Sequence, residues 1–112
     1  MSADETPPLQ IEVLTPDGSP DRDADTVVVR LAGELDMSNI EQVEAQVAPA
    51  LAAGPRTLVV QADELAFADS SAIAMWLRWS ANVENFELRD PTPLLRRVLT
   101  AMGLAEKLGI PA

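Results

Sequence analysis

Residues 65–73, Leu-Ala-Phe-Ala-Asp-Ser-Ser-Ala-Ile, combine residue types that could carry a phosphate group. A loop enters a predicted helix at Ser70, where free backbone amides and the helix dipole favour an anion by about 0.3–1 kcal/mol. Phosphorylation of Ser70 would therefore leave the fold intact while adding about −1.5 to −2 charges. The simpler interpretation is that Asp69 or Ser70 only caps the helix. Spacing alone favours capping, because Asp and Ser begin helices in many proteins.

The predicted helix at residues 70–81 has two faces when its residues are placed at 100° intervals. One face holds the residues that we expect to pack against a sheet: Ile73, Trp76, Leu77 and Ser80. The opposite face holds residue types that are enriched at protein contacts: Met75, Arg78 and Trp79. The sequence therefore predicts an exposed partner-binding surface there, with Met75 and Trp79 as neighbours four positions apart. The alternative is that another element covers these residues.

The composition argues against catalysis. The chain has no His and no Cys, which removes triads built on either residue and the common zinc ligands. The segment at 33–36, Gly-Glu-Leu-Asp, is a poor candidate for a metal site, because only scattered acidic residues such as Asp63 could bind a metal together with Asp36. A phospho-aspartate receiver needs an acidic pair after its first strand, and only Glu12 stands there. We expect no enzyme, no metal and no cofactor.

The charge of the chain limits its partners and its location. Its 112 residues hold 18 acids against 8 bases, a formal net charge of −10. This balance repels phosphate backbones and anionic membranes, so nucleic-acid binding and membrane insertion are not expected. The acidic N-terminus lacks the basic-then-apolar order of a signal peptide, and no apolar run approaches the roughly 20 residues of a membrane helix. We expect a cytoplasmic protein.

Periodicity predicts one α/β domain over residues 9–112, preceded by a disordered lead at residues 1–8. Strands are predicted at 9–13, 26–32, 57–60 and 84–88, with an acidic hairpin loop between the first two. Asp36 or Ser38 is expected to cap the first helix, and Pro49 to bend or end it. Residues 61–67 are predicted as a loop. The last helix is expected to begin at Thr92-Pro93, carry one apolar stripe and stop at Gly103. The members of that stripe are Leu94, Leu95, Val98, Leu99 and Met102.

These elements follow the order β-β-α-β-α-β-α, which predicts a mixed sheet of about four strands with about three helices. Two segments in this order resemble the STAS domain family. They are the Gly-Glu-Leu-Asp strand end at 33–36 and the Phe-Ala-Asp-Ser-Ser-Ala turn at 67–72. The helix at 93–99 and the Met-Gly-Leu exit at 102–104 are also similar to that family.

The resemblance implies an anti-anti-sigma module, also called an anti-sigma factor antagonist. Such a module binds an anti-sigma factor that is a serine kinase, and so frees a sigma factor. The kinase ends the interaction by phosphorylating the first serine of the Asp-Ser-Ser turn, and a serine phosphatase restores it. By position the phosphoacceptor is Ser70, with Ser71 as the second hydroxyl. The resemblance places Asp69 as the support of the turn and Asp36 near the kinase-docking surface.

The resemblance leaves two departures and one alternative. The sequence ends at Ala112, roughly where the resemblance places the family's fifth strand and final helix. Ala72 stands where the family has glycine, so a positive φ at this position would be costly. The alternative function is a non-catalytic accessory subunit of a transport ATPase complex, or a scaffold in a stress-signalling assembly. The retained Asp-Ser-Ser favours the phosphoregulated antagonist, which we expect to be a monomer or a weak dimer.

Overall fold

The computed structural model describes residues 9–14 and 25–110. The predicted lead at 1–8 and most of the acidic hairpin loop lie outside these ranges. The elements are strands β1 (Gln10–Leu14), β2 (Thr26–Leu35), β3 (Thr57–Ala68) and β4 (Asn85–Arg89), and helices α1 (Ile40–Ala52), α2 (Ser70–Ala81) and α3 (Pro93–Ala101). The predicted order β-β-α-β-α-β-α and the mixed sheet are therefore confirmed. No helix within the described ranges is long and apolar enough to cross a membrane.

The four strands lie in the order β1-β2-β3-β4. β1 pairs antiparallel with β2, and the β2-β3 and β3-β4 pairs are parallel. Along β2, Val27, Val29 and Leu31 are buried, whereas Val28 is half-buried and Arg30 is exposed. The buried set joins one apolar core with the inner residues of α1 and α2. The sheet therefore packs these helices against one face and turns its more polar face outward.

Strand β3 continues well beyond the predicted end at residue 60, so the expectation of a loop over 61–67 is wrong. Its second half pairs with the end of β2, whereas β4 accompanies β3 only as far as Gln61. Asp63 and Glu64 are exposed because this part of the strand lies at an open edge. Two adjacent acidic residues are typical of loops, which is why the sequence pattern predicted one here. The same extension carries β2 through Gly33, which takes a φ of 109° beside a register shift in the β2-β3 pairing. Glycine adopts such a φ without the strain that a side chain would add.

Helix α1 runs through Pro49 and ends at Ala52. The prediction that this proline ends the helix at residue 49 is therefore wrong. The helix ends three residues after the proline, before Gly54. Residues 104–110 then close the other edge of the sheet, where the Leu88 N–H donates to the Leu108 carbonyl at 2.9 Å. Gly109 is required here, because a Cβ on it would lie 2.0 Å from the carbonyl oxygen of Phe86.

The predicted outward face of α2 is wrong for two of its three residues. Met75 is fully buried and Trp79 is only 4% exposed, while Arg78 is exposed and forms an ion pair with Glu44 of α1. The ion pair shows that this side of α2 faces α1, so the buried arc of α2 must contact both the sheet and the neighbouring helix. A helical wheel that assumes contact with the sheet alone predicts a buried arc that is too narrow. Met75 and Trp79 are therefore core residues and cannot form a docking surface.

Burial of Trp79 determines the effect of its truncation on stability. We expect Trp79→Ala to lower the free energy of unfolding by about 3–5 kcal/mol, as for other large core truncations, and Trp76→Ala to do the same. The matched control is Arg78→Ala on the same helix, which removes a surface ion pair and should cost less than about 1 kcal/mol. Urea melts of the three variants measure this. A Trp79→Ala loss no larger than that of Arg78→Ala would contradict the packing described here.

Candidate functional site

The candidate site lies where β2 and β3 end side by side. Leu35 and Ala68 are partners in the parallel register, so the residues that follow them, Asp36 and Asp69, leave the same edge of the sheet. The Asp69 N–H donates to the Leu35 carbonyl at 3.1 Å and ties the two strand ends together. Carboxyl ends of parallel strands are the usual location of functional sites in α/β folds. The register therefore brings together Asp36 and Asp69, which lie 33 residues apart in the sequence.

The carboxylate of Asp69 accepts hydrogen bonds from three backbone N–H groups in two segments of the chain. Its Oδ1 accepts from the N–H groups of Ser71 at 2.9 Å and Ala72 at 3.2 Å, which caps α2. Its Oδ2 accepts from the N–H of Met37 at 3.2 Å, in the turn between β2 and α1. The cap satisfies amides that a helix N-terminus leaves without partners. Asp69 thus fixes the start of α2 and the β2-α1 turn relative to each other.

The turn at residues 36–39 is held by its own polar side chains. Asp36 Oδ1 accepts from the Ser38 N–H at 2.9 Å and from the Ser38 hydroxyl at 2.5 Å. Asn39 Oδ1 accepts from the Asp36 N–H at 3.0 Å, and its amide donates to the Glu34 carbonyl at 2.9 Å. The N-cap of α1 is Asn39, so the expectation that Asp36 or Ser38 caps this helix is wrong. Hydrogen bonds from the side chain and backbone of Ser38 lower the pKa of Asp36 below its ordinary value.

Ser70 is the first residue of α2 and is exposed to solvent. Within the described residues no hydrogen bond holds its hydroxyl, which therefore faces water at the positive end of the helix dipole. Ser71 is half-buried and donates its backbone N–H to Asp69, so it is the less accessible of the two hydroxyl residues. Ala72 is fully buried inside α2 and is not among the residues with positive φ. Alanine in place of glycine therefore costs no backbone strain at this position.

The structure divides the predicted site residues into three groups, one of which is the buried core pair Met75 and Trp79. Asp36, Asp69 and Ser70 lie at the same edge of the sheet. Arg78 is exposed but two turns further along α2, where it is engaged with Glu44.

Sequence analysis missed an apolar surface next to Ser70. Five exposed apolar side chains, from 40% to 75% of their area in water, belong to the edge of the site and to α3: Met37, Phe67, Leu94, Val98 and Met102. Phe67, Leu94 and Val98 line a groove of about 110 Å³ between the end of β3 and α3. We call these five residues the apolar surface. Single exposed apolar residues are normal, whereas a cluster is typical of a contact site.

The predicted stripe on α3 proves to be two stripes. Leu95 and Leu99 are buried in the core, whereas Leu94, Val98 and Met102 are exposed. Their spacing of four residues could have revealed the second stripe, because an apolar arc that includes all five residues is wider than one buried face requires. Phe67 carried a weaker signal, since it stands in the segment that we predicted as a loop.

Comparisons with known proteins agree with this architecture. The family described as "Mlab, STAS domain" matches residues 19–110. An anti-sigma F factor antagonist from Lysinibacillus sphaericus is 34% identical over 101 residues, covering 86% of this chain and 80% of that protein. The chain belongs to the STAS domain family.

Solved structures of anti-sigma factor antagonists share the fold. SpoIIAA in its unphosphorylated form is 29% identical with a TM-score of 0.69, over 94% of this chain and 89% of that one. SpoIIAA from Bacillus in its phosphorylated form is 29% identical with a TM-score of 0.63, over 94% and 92%. An antagonist from Mycobacterium paratuberculosis has a TM-score of 0.77 over 92% and 85%, and its 21% identity supports the fold alone.

The bonds of Asp69 predict a graded loss of stability. We expect Asp69→Ala to lower the free energy of unfolding by about 1–2 kcal/mol, because two cap bonds and the bond from Met37 are lost. The matched control is Thr92→Ala at the N-cap of α3, where a single bond of 3.4 Å to Leu95 is lost, and we expect about 0.5 kcal/mol. Urea melts compare the two. Equal losses would show that neither the second cap bond nor the bridge to Met37 contributes to stability.

The Asp36 turn predicts a pH dependence. Because the folded-state pKa of Asp36 is lowered, its stabilising contribution is present above the ordinary value of 3.8 and is lost as the pH falls through the lowered pKa. Ser38→Ala removes the largest cause of the shift, so the pKa should move back toward 3.8. NMR titration of the Asp36 carboxyl carbon in both proteins measures this. An unchanged pKa in the variant would contradict the assigned cause.

Proposed function

We propose that this protein is an anti-sigma factor antagonist that binds a cognate anti-sigma factor with serine kinase activity, and that phosphorylation of Ser70 ends the interaction. Release of the sigma factor follows from occupation of the anti-sigma factor, and a serine phosphatase resets the switch. The similarity to the Lysinibacillus antagonist and to the two SpoIIAA structures supports this assignment. That SpoIIAA exists in phosphorylated and unphosphorylated forms supports a modified residue in this chain too.

The observation that carries the proposal is the exposed Ser70 at the first position of α2. A kinase can reach this hydroxyl without unfolding the helix, because no described residue binds it and its side chain faces solvent. The position also tolerates a phosphorylated serine, since the dipole at a helix N-terminus favours an anion by about 0.3–1 kcal/mol. Modification therefore changes the surface of the protein and leaves its core unchanged.

The surroundings of Ser70 explain why a phosphate would weaken docking. The Ser71 and Ala72 N–H groups already donate to Asp69, so those two amides are engaged when the phosphate is added. Asp36 and Asp69 at the same edge are both acidic. A phosphate adds about −1.5 to −2 charges to this edge. A partner that covers the edge would have to desolvate the phosphate, which costs about 1–3 kcal/mol or more when it stays unpaired.

The apolar surface is the part of the molecule best suited to hold the partner. Its members lie in the β2-α1 turn, at the end of β3, on α3 and directly after α3, and the Met37 N–H bond to Asp69 ties the first of these segments to the residue before Ser70. Apolar residues at the centre with charged residues at the rim are the usual composition of a protein interface. Docking here would cover Ser70, so binding and phosphorylation would use the same surface.

The alternative of an accessory subunit in a transport ATPase or a scaffold would use this surface without phosphorylation. The exposed Ser70 favours the regulated function, because a constitutive subunit has no need of an accessible hydroxyl there. Purification of the native complex distinguishes the two functions. Recovery of an anti-sigma factor supports the proposal, and recovery of transport ATPase subunits supports the alternative.

Substitutions at Ser70 test the switch. We expect Ser70→Ala to bind the anti-sigma factor with wild-type affinity and to retain it after incubation with ATP. Ser70→Asp should bind at least tenfold more weakly, because each 1.4 kcal/mol of uncompensated desolvation corresponds to a factor of ten. Isothermal titration calorimetry measures both.

Ser71→Asp is the matched control for position along the helix. Because Ser71 is half-buried, the affinity of this variant for the anti-sigma factor is interpreted only if its midpoint of urea unfolding matches that of the wild type. Wild-type affinity in Ser70→Asp would remove the switch while leaving the antagonist function in place.

Substitutions on α3 test the docking surface independently of phosphorylation. We expect Val98→Asp to weaken binding of the unphosphorylated protein at least tenfold, because a charge enters the apolar contact and must be desolvated. Thr100→Asp is the control, since it adds the same charge to an exposed position of the same helix that does not line the groove. Calorimetry with both variants measures the difference. Equal affinities would place the docking surface elsewhere.

A further inference from the structure

The apolar surface contains two exposed thioethers. Met37 is 75% exposed in the β2-α1 turn, and Met102 is 53% exposed after the last turn of α3. Met75, by contrast, is fully buried under α2. The chain contains four methionines and no cysteine, so thioethers are its only sulfur groups. Oxidation at sulfur in this protein therefore falls on methionine, and within the described residues it falls first on Met37 and Met102.

We propose that Met37 and Met102 are oxidation sites through which two-electron oxidants, such as hydrogen peroxide or hypochlorous acid, weaken docking of the partner. The inference rests on the proposed function, because it assumes that the apolar surface holds the anti-sigma factor. It adds a second form of regulation, which acts on side chains other than Ser70 and needs no kinase.

The chemistry is an oxygen-atom transfer. The thioether sulfur attacks the terminal oxygen of hydrogen peroxide, an S–O bond forms, the O–O bond breaks, and proton transfer releases water. The sulfur loses two electrons and the peroxide gains them. Methionine sulfoxide is polar and chiral where the thioether was apolar and flexible, and methionine sulfoxide reductases reverse the change. The step is therefore a reversible switch between an apolar contact and a polar one.

Because both methionines are exposed, sulfoxide formation should affect the affinity for the partner and have little effect on the stability of the fold. Both side chains are largely in water in the free protein, so their sulfoxides displace no core packing. On docking, each sulfoxide oxygen at the interface must give up its hydration. The Met37 backbone N–H bond to Asp69 does not involve the sulfur, so the turn stays in place.

The test uses the full chain, treated with hydrogen peroxide and then quenched with excess free methionine before the partner is added. Peptide mass spectrometry should find one added oxygen on Met37 and on Met102 before any on Met75. Calorimetry against the untreated anti-sigma factor should show at least a tenfold loss of affinity. Reduction by the two methionine sulfoxide reductases should restore it. The urea midpoint should stay unchanged.

The matched variant is Met37→Leu/Met102→Leu, which keeps apolar side chains of similar volume and still contains the other two methionines. Its affinity before treatment is its own reference, and peroxide treatment should leave that affinity unchanged. Wild-type protein that carries both sulfoxides and binds with full affinity would overturn the inference. An equal loss in the double variant would overturn it too. Failure of the untreated protein to bind an anti-sigma factor would instead overturn the proposed function, and this inference with it.

Discussion

The site depends on the carboxylate of Asp69. One oxygen accepts from two amides at the start of α2, and the other accepts from Met37 in the β2-α1 turn. Local hydrogen bonds hold the turn at residues 36–39, but they do not set its position relative to the start of α2. The parallel pairing of β2 with β3 brings them to the same edge, and the carboxylate then sets their relative position. Ser70 and the apolar surface take their places from this arrangement.

Much of the fold follows from the sequence, because local chemistry decides it. The Asp69 and Thr92 caps, the bounds of α2 and the left-handed stop at Gly103 were all predictable from residue type and spacing. The misplaced features depend on what lies beside an element. The second half of β3 is a strand only because β2 accompanies it, and Trp79 is buried because α1 lies next to α2. A single sequence does not show these neighbours.

The same distinction applies to the site. Asp36, Asp69 and Ser70 could be identified from their motifs, because each motif stands at a predicted strand end or helix start. The apolar surface could be identified only in part, because the spacing on α3 indicates Leu94, Val98 and Met102, whereas Phe67 and α3 come together only through the tertiary fold. Its combination with an acidic edge gives the proposed switch a physical basis. Apolar residues supply the contact area, and the edge beside them already carries enough negative charge that a further phosphate would be poorly neutralised.

The central claim is that Ser70 is the residue that an anti-sigma factor kinase modifies. The direct measurement is to incubate the protein with the cognate anti-sigma factor and ATP, and to locate the product by intact and tandem mass spectrometry. The account predicts one phosphoryl group, on Ser70, and none in Ser70→Ala. A phosphoryl group on Ser38 or Ser71 in place of Ser70, or no modification while the anti-sigma factor binds, would contradict it.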